Sequence, residues 1–172
     1  MITMDESSRV GPLFSGPERA QLESWLDFYR STLLLKCAGL SVEQLSTRAV
    51  PPSELTLLGI LRHMTFVEQA WFEEVFAGRT IVDYYKRDND LMADFHDLAS
   101  APLDEVVQLF ERACSESRRV ASGHELDEMA LVVSRGRQVD LRWIHVHMIE
   151  EYARHCGHAD LLRELIDGTT GY

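Results

Sequence analysis

The feature that most constrains the fold is the stretch LRWIHVHMIEEYARHCGHADLLRELIDG, residues 141–168, which repeats its apolar residues in heptads. The two seam positions of the repeat hold Leu141, Met148, His155 and Leu162, and Ile144, Glu151, His158 and Leu165. Both ends of this seam are apolar, but its middle carries a carboxylate and two imidazoles. A long amphipathic helix buries such a seam against other helices. Because burying an unpaired carboxylate costs several kcal/mol, the pattern also predicts a partner that compensates Glu151.

Helix-start and helix-stop residues extend this prediction to the whole chain. Proline, aspartate and glycine at the ends of periodic segments predict four main helices, near 17–39, 56–77, 102–122 and 140–167. A capping box at Ser41 and Gln44 predicts a short helical turn after the first of them.

The segments between the helices are less regular. Residues 79–101 lack sustained periodicity and predict a long connection with room for one helical turn, and residues 124–139 contain MALVVS, a weak indication of a strand. We therefore predict one all-α domain over residues 1–172, an antiparallel four-helix bundle with a long crossover connection. Residues 1–15 are expected to form a poorly ordered tail.

Composition excludes several classes of function. The formal net charge of -11, with no basic stripe, argues against nucleic acid as a partner. No apolar run approaches the roughly 20 residues that span a bilayer, and the N-terminus does not resemble a secretory signal. Membrane attachment is therefore not expected. The 3 cysteines, Cys37, Cys114 and Cys156, include no CxxC pair, which suits a protein of the reducing cytoplasm.

The polar interruption of the seam has the spacing of a metal site. Glu151 and His155 are four residues apart, so their Cβ atoms lie roughly 5–6 Å apart on one helix face. In the second predicted helix His63 shares an inward-facing stripe with Ile60 and Val67. Metal sites in bundles are built from such side chains on facing helices. Two imidazoles and one carboxylate would leave coordination positions free for water or substrate, as in catalytic sites.

Other interpretations of these residues stay open at this point. A lone histidine such as His63 on an apolar face is more often a satisfied core residue, and Glu151 is able to pair with Arg142 or Arg62. His147 and Glu151 form a competing pair four residues apart, so the role of His147 is open. His158 lies about 10 Å along the helix from Glu151, too far for the two to share one ion easily. His158 is therefore expected either to lie outside the ligand set or to act as a substitute ligand.

The remaining candidates carry less chemistry. His96, His124 and His145 have no helical partner and are expected to be solvated, and Cys156 is expected to pack. Neither the HExxH motif of zinc proteases nor the ExxH motif of ferritin-like di-iron proteins occurs in the chain.

Three segments, GLSVEQL, SELTLLGILRHMTFVEQAWFEEVFAG and LRWIHVHMIEEYARHCGHADLLRELIDGTTGY, resemble the DinB-like superfamily of four-helix metalloproteins. The resemblance implies a divalent metal held by His63, Glu151 and His155. Many members carry His-x-x-x-His in the last helix, whereas EYARH is similar to the mycothiol-dependent maleylpyruvate isomerase branch. Zinc is the expected ion, with nickel, iron or manganese as alternatives.

Characterised members of the superfamily imply an activity. The expected function is metal-dependent S-transfer, with a low-molecular-weight thiol of the mycothiol or bacillithiol type and a small electrophile as partners. The alternatives are a non-catalytic metal-binding stress or interaction protein, and a metallohydrolase that uses the same three ligands. A homodimer formed through exposed bundle faces is a further expectation.

Overall fold

Within the residues that the structure describes, the regular structure consists of four long helices, two short ones and a π-helical segment. The computed structural model describes residues 2–4, 9–85, 90, 92–98 and 102–170. The elements in chain order are α1 (Glu18–Cys37), α2 (Val42–Leu45), α3 (Leu57–Glu68), the π-helical segment Gln69–Phe76 that continues α3, a 3-10 helix (Ala93–Phe95), α4 (Leu103–Ser122) and α5 (Leu141–Asp167). The all-α prediction is confirmed, and each end of the four predicted helices lies within about two residues of its observed position.

The helix ends form where the sequence places capping residues. The side chains of Thr56 and Asp140 accept hydrogen bonds from Gly59 N (3.0 Å) and Trp143 N (2.7 Å). Ser41 and Gln44 form the predicted capping box of α2. Gly168 ends α5 in the left-handed region at φ 78°, which glycine adopts without strain.

Contacts between the helices define the direction in which each one runs. Glu18 contacts Arg142 at the start of α1 and of α5, and Arg163 contacts the Lys36 carbonyl near their ends. These two helices are therefore parallel. Ring contacts join Trp71 to Trp143 and His63 to His155, so α3 runs antiparallel to α5. The helices α3 and α4 are parallel neighbours. The chain therefore runs up, down, down and up, and the predicted crossover is the connection from α3 to α4.

The two long connections pack against the bundle. The 3-10 helix Ala93–Phe95 lies in the crossover and contacts α3. The segment after α4 returns to the end of the π-helical segment, where Leu131 N and Val132 N donate to the carbonyls of Phe76 and Val75. The weak strand prediction for MALVVS is wrong, because the described residues there form only isolated bridges, Met129 with Asp140 and Ser134 with Arg137.

A buried ion pair crosses the apolar core between α1 and α3. Arg30 donates to both carboxylate oxygens of Glu68, at 2.7 and 2.8 Å, and the Tyr152 hydroxyl donates to Glu68 at 2.6 Å. Burial would raise the pKa of Glu68, but the charge and hydrogen bonds of Arg30 hold this pKa below its ordinary value. Together with Tyr152, this pair connects α1, α3 and α5.

Two further observations concern the ends of the chain and its surface. The predicted tail, residues 1–15, lies partly outside the described residues, although Ile2 is buried and its carbonyl accepts a hydrogen bond from Gly39 N at 3.0 Å. No helix in the described ranges is both long and apolar enough to cross a membrane.

Candidate metal centre

The structure brings His63, Glu151 and His155 together. One ligand atom from each, an imidazole nitrogen or a carboxylate oxygen, lies within 4.8 Å of the other two. His155 Nε2 is 3.6 Å from Glu151 Oε2, and the His63 and His155 ring centroids are 4.9 Å apart. The α5 pair follows from the four-residue spacing, and the antiparallel packing of α3 supplies the third side chain. Their arrangement was predicted, whereas their role as ligands stays a prediction.

The cluster lies at the edge of the buried seam rather than in its centre. Tyr152 and Ala159, each 0% exposed, take the second seam position in the C-terminal half of α5, while Leu165 is 61% exposed. An α-helix has 3.6 residues per turn, so a strict heptad assignment drifts by about 20° per heptad. The drift moves Glu151 and His158 outward, and the Glu151 side chain is 23% exposed. Part of the Glu151 side chain is therefore open to solvent.

A carboxylate from the crossover orients His63. Asp94 Oδ2 lies 3.1 Å from His63 Nδ1, which leaves Nε2 of His63 as the ring nitrogen free to bind an ion. This contact was not predicted from the sequence, because Asp94 lies in an irregular connection far from His63 along the chain. Its only sequence signal is a carboxylate within the one helical turn expected in that connection.

His158 contacts His155 from the other side. The Nδ1 atoms of the two rings are 3.5 Å apart, and His155 directs its Nε2 towards Glu151. Burial, together with the neighbouring His63 and His158, lowers the pKa of His155 to about 4. At neutral pH His155 is therefore uncharged and keeps a nitrogen lone pair available for a cation.

The competing pair of His147 and Glu151 is also formed. His147 Nε2 lies 3.5 Å from Glu151 Oε1, so the two carboxylate oxygens of Glu151 face different imidazoles. A second group that is able to hold a metal consists of His147, Glu150 and Glu151. All three belong to α5, and Glu150 is already paired with Arg154 at the exposed surface. The set that includes His63 draws on two helices and is the better enclosed.

The arginines that were alternative partners for Glu151 have other contacts. Arg142 donates to Glu18 at 2.7 Å. Arg62 donates to the carbonyl oxygens of Ala93 and His96 and lies over the ring of Tyr85. Arg62 thus anchors the crossover connection that carries Asp94.

The prediction that three other histidines are solvated is wrong for His145. This ring is 1% exposed, packs edge-on against Phe72, and bonds through Nδ1 to the Leu141 carbonyl at 2.9 Å. Burial lowers the pKa of His145. His96 is partly buried beside Asp90 at 2.7 Å, and His124 is exposed and paired with Glu128. None of the three reaches the cluster described above.

The cysteines are packing residues, as expected for Cys156. All three are free and buried. Burial raises the pKa of Cys37 and of Cys156 to about 12, and it raises that of Cys114 as well. A thiol with so high a pKa supplies almost no thiolate at neutral pH, so a reaction that needs a thiolate requires a thiol from outside the chain.

Comparison with known proteins identifies a family for this chain. A search of curated proteins finds no match. Residues 21–168 match the family model described as mycothiol-S-transferase, and this match includes all three residues of the cluster. With nearly the whole bundle covered, the chain belongs to the mycothiol-S-transferase family, a family of DinB-like proteins.

Proposed function

We propose that this protein is a metal-dependent thiol S-transferase that joins a low-molecular-weight thiol to a small electrophile. The proposal is carried by the convergence of His63, Glu151 and His155 from two helices at an accessible edge of the bundle. The family match supports a thiol of the mycothiol type as the donor. The buried, unreactive cysteines also favour an external thiol over one of the chain's own.

The donor set fits a divalent ion. Two imidazole nitrogens and one carboxylate oxygen are ligands that zinc prefers, and three protein ligands leave a further position open. Nickel, iron and manganese accept the same donors, so zinc is the favoured ion among four. A bound divalent ion lowers the pKa of a coordinated thiol and so provides thiolate at neutral pH.

The chain's own residues set up this chemistry. Asp94 fixes the ring of His63, and burial holds His155 in its neutral form. The partial exposure of Glu151 lets the thiol enter and its proton leave to solvent. The thiolate sulfur then forms a bond to the electrophilic carbon, while the bond from that carbon to its leaving group breaks and the leaving group keeps the electron pair.

Two other functions use the same residues. A metallohydrolase would activate water instead of a thiol at the open position, and a stress or interaction protein would bind the ion without turnover. The family match favours S-transfer over both. The three free, buried cysteines also suit the proposed cytoplasmic location, and homodimer formation stays a prediction.

The test combines metal analysis with two rate measurements. Purified protein is analysed for bound metal and then assayed with 1-chloro-2,4-dinitrobenzene and mycothiol, glutathione or cysteine, and separately with 4-nitrophenyl acetate in the absence of thiol. We expect conjugation above the uncatalysed rate, and its loss in His155→Ala but not in His124→Ala, an exposed histidine outside the cluster. Ester hydrolysis without conjugation would favour the hydrolase, and metal binding without either rate would favour the non-catalytic function.

A further inference from the structure

A large cleft opens beside the candidate metal centre, where the start of α5 meets the π-helical segment and the connection that follows α4. Its volume is about 670 Å³, within the range of roughly 300–1,000 Å³ that is typical of small-molecule sites. Residues that line it include Trp71, Arg135, Arg137, Val139, Trp143 and His147. His63, Glu151 and His155 are not among its lining residues, and of those named here only His147 contacts the metal centre, through Glu151.

One wall of the cleft is aromatic. The Trp143 and His147 rings stack at 4.8 Å with an angle of 20° between their planes, and Trp71 packs against both, at 5.2 and 4.6 Å. Trp143 is nevertheless 44% exposed. Flat aromatic faces that remain open to solvent inside a cleft suit a planar apolar group of a ligand.

Two arginines also line the cleft. Arg135 (φ 51°) and Gly136 (φ 75°) form a two-residue turn, closed by two backbone hydrogen bonds between Ser134 and Arg137 at 3.0 and 2.9 Å. This turn holds the arginines Arg135 and Arg137 at the surface, and within the described ranges neither of them forms an ion pair. Among the described residues Asp140 is the one carboxylate that lines the cleft, and it caps α5 by accepting from Trp143 N at 2.7 Å.

These two arginines stand out against the charge of the molecule. The chain carries a formal net charge of -11, and the arginines at the N-terminal ends of its helices, such as Arg19 and Arg142, are paired with carboxylates. Two arginines of one turn without such partners favour an anionic ligand, because arginine binds carboxylates through paired N–H donors.

The cleft and the metal centre share a wall. His147 lines the cleft, its Nε2 lies 3.5 Å from Glu151 Oε1, and Glu151 Oε2 lies 3.6 Å from His155. A molecule bound in the cleft against His147 would therefore lie one side chain away from Glu151 of the metal centre.

We infer that the cleft binds the electrophilic substrate, and that this substrate carries a flat apolar group and a carboxylate. The assignment as substrate rests on the proposed function, whereas the binding of such a molecule does not. Trp71 and Trp143 hold the flat part, and Arg135 and Arg137 hold the carboxylate.

The test uses 2-naphthoate and its neutral isostere 2-naphthamide in calorimetric titrations of the whole protein, metal-loaded and chelator-treated. We expect 2-naphthoate to bind about 10-fold more tightly than the amide, and the Arg135→Gln/Arg137→Gln double variant to remove this preference. Arg112→Gln, which changes an exposed arginine of α4, should leave it unchanged. Both arginines of the turn are exposed, so the double variant keeps its fold, and its melting temperature checks this.

The outcomes separate this inference from the proposed function. Equal affinities for the two probes, no binding of either at millimolar concentration, or an unchanged preference in the double variant would overturn the cleft assignment. His63→Ala should still bind 2-naphthoate, because His63 lies outside the cleft. Binding of 2-naphthoate in a protein that has no transferase rate would leave the carboxylate site intact and refute the transferase.

Discussion

Replacing Arg30 with methionine would leave the carboxylate of Glu68 in the core without its cation. The Glu68 side chain is 0% exposed and would lose two hydrogen bonds, of 2.7 and 2.8 Å, while Tyr152 alone would remain as a strong donor. Breaking a buried ion pair in this way costs about 3–5 kcal/mol. In a chain of this size, such a loss lowers the melting temperature by roughly 6–20 °C.

The matched control is Arg142→Met, because Arg142 and Glu18 also join two helices but are exposed. Exposed pairs contribute about 0–1 kcal/mol, so this variant should melt within a few degrees of the parent. Urea unfolding at pH 7, followed by circular dichroism, measures both variants. Equal small losses in Arg30→Met and Arg142→Met would refute the claim that Glu68 is desolvated and charged.

The pH dependence gives a second measure of the same pair. The pKa of Glu68 is lowered in the folded protein, so its contribution to stability is present above the pKa of an unfolded glutamate and is lost as pH falls through the lowered value. In Arg30→Met the uncompensated, buried carboxyl group should instead have a raised pKa. The difference in stability between the parent and Arg30→Met should therefore shrink between pH 7 and pH 4.

Further predictions concern the metal centre and the cysteines. Asp94→Asn should weaken metal affinity about 10–100-fold without unfolding the protein, as competition with a chelating indicator would measure; an unchanged affinity would remove Asp94 from the site. The free energy of unfolding of chelator-treated protein should fall by up to about 3 kcal/mol between about pH 6.5 and about pH 4. The pKa of His155 is about 4 in the folded protein, so over this range the unfolded chain binds a proton that the folded protein does not. A melting temperature that stays constant over this range would contradict the burial of His155. Iodoacetamide should leave Cys37, Cys114 and Cys156 unmodified in the folded protein, as mass spectrometry would record, and alkylate all three in guanidinium.

Local signals in the sequence account for most of the correct predictions. Helix ends depend on single residues, such as Asp140 and Gly168, whose preferences act within one turn. The approach of His155 to Glu151 depends only on the rise of one helix. His63 was placed on the inward face by its spacing from Ile60 and Val67, and the bundle then brought it to α5.

The errors arise where packing between distant segments decides the outcome. His145 was expected to be solvated because it has no partner within its helix, but Phe72 on the neighbouring helix covers it. Asp94 reaches His63 through a crossover that no periodicity describes. A signal for buried Glu68 did exist, since it follows Leu61 and Met64 at helical spacing on the inward face. The arginine that compensates its charge lies on another helix and was not predictable from that spacing.

The register of α5 shows a subtler limit. Heptads describe its first half, where Leu141, Ile144 and Met148 are all fully buried. Further along, the buried positions pass to Tyr152 and Ala159, because a straight helix does not keep a seven-residue period. The sequence therefore predicted that His63, Glu151 and His155 come together but not their position at the accessible edge of the bundle.

The central claim is that His63, Glu151 and His155 hold one divalent ion between α3 and α5. Its most direct test is the metal content of the purified protein and of His63→Ala, Glu151→Ala, His155→Ala and His147→Ala, measured by mass spectrometry. X-ray absorption spectroscopy of the parent protein measures the distances from the metal to its ligands. We predict one ion per chain, with two imidazole nitrogens and a carboxylate oxygen at about 2.0–2.2 Å, lost in the first three variants and retained in His147→Ala. An ion that survives His63→Ala and is lost in His147→Ala would contradict the account and place the metal in the group formed by α5 alone.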